Sequence, residues 1–85
     1  MALTETTKVD QIELTERNVI QIRTATIIEK DGQELTRTYH RHLVEPGQNV
    51  SNEDSKVQAI ANVIWTPEVI AEYEQYVASL TNGIN

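Results

Sequence analysis

The 85-residue chain contains no cysteine and no phenylalanine. Without cysteine, a disulfide framework, a cysteine nucleophile and a thiolate zinc site are all excluded. Because small secreted domains usually depend on disulfides, the absence of cysteine also favours synthesis inside a cell. Without phenylalanine, one tryptophan and three tyrosines are the only aromatic residues. The predicted core therefore consists of isoleucine, valine, leucine and alanine.

Long apolar runs are also missing. No uninterrupted run exceeds three residues, as in Val63-Ile64-Trp65, whereas a membrane-spanning helix needs about 20. The first ten residues lack the basic head and apolar stretch of a secretion signal. We therefore expect neither a membrane protein nor a signal peptide.

The charge is negative and unevenly distributed. The net charge is -6, and residues 44–85 contain one basic residue, Lys56, against six acidic ones. Residues 1–43 are nearly neutral, with six basic and seven acidic residues. Because an acidic surface repels phosphate backbones, general nucleic-acid binding is not expected.

Length and composition predict one small folded domain. Hydrophobic residues make up 39% and charged residues 24% of the chain, which is typical of globular proteins. A domain of this size has only a modest core, so its stability is expected to be low unless it assembles. We divide it into a frayed N-terminus (1–6), a β region (7–44) and a helical pair (51–81).

Three strands are predicted in the first half. The first runs from Val9 to Leu14, with Asp10 on the same face as Ile12 and Leu14, and a turn follows over 15–18. The second covers residues 19–30, which are rich in β-branched side chains. Asp31-Gly32 is typical of a two-residue type I′ hairpin, and a third strand follows over 33–44.

The hairpin predicts the register of the second and third strands. An unbulged pairing joins Lys30 to Gln33 and Ile20 to Leu43. The predicted core face is Ile20, Ile22, Ile28, Leu35, Tyr39 and Leu43, and the opposite face is Gln21, Arg23, Thr36, Thr38, His40 and His42. A longer loop with a bulge would slip the pairing by one residue and set Ile20 and Ile22 beside the histidines. The unbulged register is favoured because it places the apolar side chains of both strands together on one buried face.

Two helices are predicted in the second half. Ser51 and Asp54 resemble a capping box for a helix over 52–64. Thr66 at the N-cap and Pro67 at the first position then start a second helix, which Asn82-Gly83 ends. The predicted fold class is α+β, a three-stranded antiparallel β-meander followed by two short helices joined by a sharp corner.

The candidate interface consists of Arg23, His40 and His42. The two histidines, two residues apart on one strand, share a face and could share a metal. No third ligand is forced onto that face, so no metal site is expected. In the unbulged register Arg23 joins them in a small electropositive patch that suits an acidic protein partner. A solvated sheet face without a role is the alternative interpretation.

Nothing in the chain predicts catalysis. Glu72 and Glu74 lie on different sides of the second helix and form no carboxylate pair. The three glycines are scattered and form no phosphate-binding loop. We therefore expect a protein that is not an enzyme, with no catalytic residues and no cofactor.

The segments YHRHLVEPGQNVS and VQAIANVIWTPEVIAEY resemble a family of small uncharacterised proteins of tailed bacteriophages, notably phages of cyanobacteria. The upstream pieces VDQIEL, VIQIRTATIIEKDG and QELTRTYHRH extend this resemblance from Lys8 to Tyr73. Family members are encoded among virion and tail-fibre genes, which implies a structural or adaptor role in the virion. The partners implied are other virion proteins, and self-association is a further option. The alternative is a soluble acidic phage protein that binds and modulates a host protein in the host cytoplasm during infection.

Overall fold

The computed structural model describes residues 2–82. The elements in chain order are β1 (Leu3–Leu14), β2 (Ile20–Lys30), β3 (Gln33–Val44), α1 (Ser55–Ile64) and α2 (Pro67–Asn82). The strands form one antiparallel sheet in the order β1-β2-β3. This is an α+β fold with a β-meander followed by two helices, so the predicted fold class is confirmed.

Strand β1 begins six residues earlier than predicted. Residues 3–6 pair in register with residues 30–27 of β2, so the prediction that they are frayed is wrong. Ala2 adds two hydrogen bonds to Asp31, one to its backbone N–H at 3.0 Å and one to its carboxylate at 3.2 Å. Threonine at positions 4, 6 and 7 is favoured in strands because it is β-branched. Pairing with β2 stabilises this part of β1 although its side chains bury little surface.

The hairpin between β2 and β3 is confirmed. Asp31 and Gly32 both have positive φ, +51° and +86°, as the central residues of a type I′ turn require. Lys30 pairs with Gln33 across the turn.

The register beyond the hairpin differs from the unbulged prediction. Glu29 pairs with Glu34 but Ile28 pairs with Thr36, so Leu35 is an extra residue in β3. From Thr36 onward the pairing is slipped by one, and Ile20 lies opposite Val44 rather than Leu43. The slipped arrangement is therefore the correct one, produced by a bulge inside the strand rather than by a longer loop.

The slip decides which side chains meet the helices. We call one side of the sheet the helix face: Ile12 on β1, Ile20, Ile22 and Thr24 on β2, and His40, His42 and Val44 on β3. We call the other side the open face: Gln11 on β1, Gln21, Arg23 and Ala25 on β2, and Tyr39, Arg41 and Leu43 on β3. Ile20 and Ile22 are buried as predicted, whereas Leu35, Tyr39 and Leu43 are about half exposed. Those three are not core residues in this chain.

The main core lies between the helix face and α1. Its buried members are Ile20, Ile22, Val44, Val57 and Ala61. Partly buried apolar residues surround them: Val9, Ile12, Val50, Ile60, Ile64 and Trp65. The spacing of Val57 and Ala61 places both on one side of α1, so this short helix covers one end of the sheet.

Helix α1 begins later than predicted. Its N-cap is Asp54, whose carboxylate accepts a hydrogen bond from the backbone N–H of Lys56 at 2.8 Å. A carboxylate is a strong cap because it satisfies a backbone donor that has no partner within the helix. The predicted capping box starting at Ser51 is therefore wrong, and the helix starts at Ser55.

The corner before α2 is confirmed. The hydroxyl of Thr66 accepts a hydrogen bond from the N–H of Val69 at 3.2 Å, and Pro67 is the first helical residue. The indole N–H of Trp65 donates to the backbone carbonyl of Asn18 at 2.8 Å. The corner is thus attached to the turn between β1 and β2. Helix α2 runs to Asn82, and Gly83 lies outside the described residues.

The molecule is elongated. Its radius of gyration is 17.3 Å and its extents are 58 × 30 × 19 Å, whereas scaling for a compact domain of this length gives about 12 Å. The core occupies the end of the sheet near the β1–β2 turn. Residues 2–8 and 31–36, at the other end, are exposed, so the hairpin end projects away from the helices.

Candidate functional site

The structure separates the three predicted interface residues. His40 and His42 pair with Thr24 and Ile22 and lie on the helix face. Arg23 pairs with Arg41 and lies on the open face. The side chain of Arg23 and the side chains of the two histidines therefore lie on opposite faces of the sheet. The slipped register is the cause, since a shift of one residue moves a side chain to the other face.

The histidines contact one another and the segment before α1. Their rings are stacked, with centroids 6.2 Å apart and planes 24° from parallel. His42 Nε2 lies 2.7 Å from a carboxylate oxygen of Glu53. His42 therefore joins β3 to the loop that leads into α1, and its contact is with this chain's own loop.

Arg23 belongs to a network of charges on the open face. Its guanidinium donates two hydrogen bonds of 2.9 Å to the two carboxylate oxygens of Asp10. Arg37 makes a similar paired contact with Glu34, at 2.8 and 3.2 Å, and comes within 3.9 Å of Asp10. Such forked pairs hold both partners in a defined geometry, so this part of the open face is ordered by its own charges.

These contacts change the pKa values of the carboxyl groups. The hydrogen bonds from Arg23 lower the pKa of Asp10 below its ordinary value, against the opposing effect of burial. The hydrogen bond from Arg37 likewise lowers the pKa of Glu34. Both carboxylates are therefore held in the charged form that the arginines bind.

Asp10 reaches Arg23 because of a second bulge. Val9 pairs with Thr24 and Gln11 pairs with Arg23, which leaves Asp10 as the extra residue of β1. A bulge changes the direction of a side chain, and here it turns Asp10 to the open face. The prediction that Asp10 shares a face with Ile12 is therefore wrong. The one available signal was aspartate itself, which is depleted in regular strands.

Apolar side chains lie among the charges of the open face. On β3, Leu35, Tyr39 and Leu43 are 57%, 49% and 51% exposed. The guanidinium of Arg23 stacks over the ring of Tyr39, with 4.3 Å between Cζ and the ring centroid. Beneath them on β2, Ala25 and Ile27 are buried. We call Leu35, Tyr39 and Leu43 the β3 apolar row.

A shallow groove of about 290 Å³ lies at one end of the open face. All of its lining residues belong to the three strands. They are Gln11, Glu13, Gln21, Arg23, Arg41 and Leu43 of the open face, together with Ile22 and His42, which adjoin them along β2 and β3. Amides, guanidinium groups and a leucine can make hydrogen bonds and apolar contacts with another molecule.

Among residues 2–82, no three histidine, cysteine, aspartate or glutamate side chains come together as a metal site requires. Within the same residues, neither helix is long and apolar enough to cross a membrane.

No family model, no curated protein and no solved structure matches this chain. What the protein does must therefore be inferred from its own surface. The open face, with its ordered charges and exposed apolar side chains, is the best candidate for a functional surface.

Proposed function

We propose that this protein is a non-enzymatic structural or adaptor protein of a tailed-bacteriophage virion, acting through protein–protein contacts. It would be a component of the tail, a fibre or an accessory of the capsid. The observation that carries the proposal is the β3 apolar row, three half-exposed large side chains on the edge strand β3. The resemblance of residues 8–73 to small phage proteins is what directs the proposal to the virion.

The chemistry of the open face supports binding rather than catalysis. Protein interfaces combine aromatic and arginine side chains with exposed apolar groups, and Tyr39, Arg41 and Leu43 provide this combination within five residues of one strand. Strand edges also present backbone groups that can pair with a strand of another protein. Small modules that bind by adding a strand to a partner's sheet use these backbone groups.

The elongated shape supports the same proposal. A projecting sheet with helices at one end offers two long sides to neighbouring molecules, as an adaptor between larger proteins requires. Its accessible surface is 6151 Å². Surface scaling for a compact monomer of this mass gives about 5,100 Å², so the chain exposes more surface than its mass requires.

The competing candidate is a soluble acidic protein that binds and modulates a host protein. Its support is the charge of α2, where Glu68, Glu72 and Glu74 occur without any lysine or arginine from Pro67 to Asn82. Such a helix suits a basic groove on a partner. On that proposal the protein acts in the host cytoplasm during infection.

Quantitative mass spectrometry of purified phage particles tests the two proposals. A virion component is expected in a fixed, near-stoichiometric ratio to known structural proteins, retained after nuclease treatment and density-gradient purification. Absence from the particles, together with abundance in infected cells, would overturn the virion proposal and favour the host-binding one. A non-structural phage protein of similar abundance in the infected cell is the control for carry-over.

A further inference from the structure

The surface of the chain exceeds that of a compact monomer by an amount that an interface would cover. The difference between 6151 Å² and the scaling value is about 1,000 Å². A standard specific interface buries about 800 Å² on each partner. One additional contact of ordinary size is therefore enough to account for the excess.

Strand β3 is the better of the two sheet edges for such a contact. Among the described residues, its outer edge pairs with no other strand. It carries the β3 apolar row along its length, whereas the large exposed apolar residues of β1, Leu3 and Leu14, lie at its two ends. Each edge strand contains one bulge, at Asp10 in β1 and at Leu35 in β3, so the placement of the exposed apolar side chains decides between the two edges.

The charges along β3 are of both signs. They are Arg37 and Arg41 against Glu34, and Glu34 already pairs with Arg37. By contrast, residues 44–85 have one basic residue against six acidic ones. Two copies brought together through their helices would therefore repel each other more strongly than two copies brought together through β3.

We propose that a second copy of this chain is the partner of β3. The two β3 strands pair antiparallel across a two-fold axis, so that the sheet continues from one copy into the other. In this arrangement the β3 apolar row of one copy contacts the same row of the other copy. Because each copy contributes the same strand, the assembly ends at two copies. This inference rests on the proposed function, in that it names one protein that the chain binds.

Light scattering coupled to size-exclusion chromatography tests the proposal on the full chain. The wild-type protein is expected at twice the 9.6 kDa of one chain. Leu43→Glu and Leu35→Glu each place a charge in the apolar row, and each is expected to weaken association by about tenfold or more, as for a central interface residue. Circular dichroism of each variant shows whether the fold is retained.

Val63→Glu is the matched control. Val63 is 76% exposed on α1, away from the sheet, so the same charge added there should leave the mass at that of a dimer. A wild-type protein that stays monomeric at high concentration would overturn the proposal, as would equal dissociation of the Val63→Glu variant. If a β3 variant unfolds, Leu43→Ser at the same position provides a milder change with the same expected direction.

Comparison with the particle experiment separates this inference from the proposed function. A monomer that is present in virions overturns the dimer and leaves the virion role standing. A dimer that is absent from virions overturns the virion role and leaves the dimer standing.

Discussion

The indole N–H of Trp65 donates a hydrogen bond of 2.8 Å to the backbone carbonyl of Asn18, 47 residues earlier in the chain. Asn18 itself has a positive φ of +67°, so this turn holds an unusual conformation for a residue with a side chain. The contact joins the helix corner to the β1–β2 turn and fixes α2 at the end of the sheet.

Trp65→Phe is expected to destabilise the domain because it keeps an aromatic ring but leaves the Asn18 carbonyl without its donor. Loss of one partner from a part-buried hydrogen bond costs about 1–3 kcal/mol. Urea denaturation followed by circular dichroism measures the difference. Val63→Ala, on the exposed side of α1, is the control and should change the midpoint little. An unchanged midpoint for Trp65→Phe would mean that the contact does not hold the corner.

Thr66→Ala is expected to lower the free energy of unfolding by about 0.5–2 kcal/mol, the usual effect of removing an N-cap. The hydroxyl that accepts from the N–H of Val69 is lost. Thr66→Ser retains a hydroxyl and should recover most of the stability. Thermal melts of the two variants would contradict the cap if both lost the same amount.

Gly47→Ala is expected to cost more than Gly32→Ala. Both glycines have positive φ, +91° and +86°, so alanine is strained at either position. A β-carbon at Gly47 would also come within 3.2 Å of the Ile70 side chain, whereas at Gly32 it would meet nothing within 4 Å. Thermal melting of the two variants measures the difference. Equal losses would show that Ile70 moves away freely.

His42→Ala is expected to destabilise the domain more than His40→Ala, by about 0.5–1.5 kcal/mol, the usual net value of one hydrogen bond. His42 contacts Glu53 at 2.7 Å, while His40 is exposed on the same face. Chemical denaturation of both single variants at one pH provides the comparison. A larger loss for His40→Ala would contradict a stabilising role for the contact between His42 and Glu53.

Acid is expected to remove the contribution of Asp10 to stability. Its hydrogen bonds from Arg23 lower its pKa in the folded state, so the unfolded chain takes up the proton first as the pH falls. The contribution is therefore complete above the ordinary aspartate pKa of about 3.9 and is lost as the pH falls through the lower folded value. Asp10→Asn should be less stable than wild type at neutral pH and should approach it in acid.

Denaturation midpoints of both proteins at several pH values measure this convergence. Glu5→Gln, which removes an exposed carboxylate from the same strand, is the control and should show a smaller difference at neutral pH. A constant difference between wild type and Asp10→Asn at every pH would contradict the role of the Asp10 charge.

Local signals explain the parts of the fold that the sequence predicted well. Asp31-Gly32 specifies its hairpin because positive φ at both positions is a property of those two residues. Thr66-Pro67 specifies its corner because the cap and the fixed φ of proline act within one turn. Neither feature depends on a distant part of the chain.

The candidate site was predicted less well, because it depends on register. Leu35, Tyr39 and Leu43 have the spacing of a buried strand face, and the sequence alone favours burying them. The structure instead buries Val44 against Ile20, with Val57 and Ala61 of α1 above them. The predicted patch of Arg23, His40 and His42 was divided by the same slip.

The sequence by itself determined the order of the elements, the two-residue hairpin, the corner and the absence of cysteine chemistry. Only the tertiary structure decided which face of the sheet meets the helices and which stays open. The physical reason is that side chains alternate along a strand, so one bulged residue exchanges the two faces. The local sequence does not reveal where a bulge lies, because the register is favoured by packing against a helix that lies later in the chain.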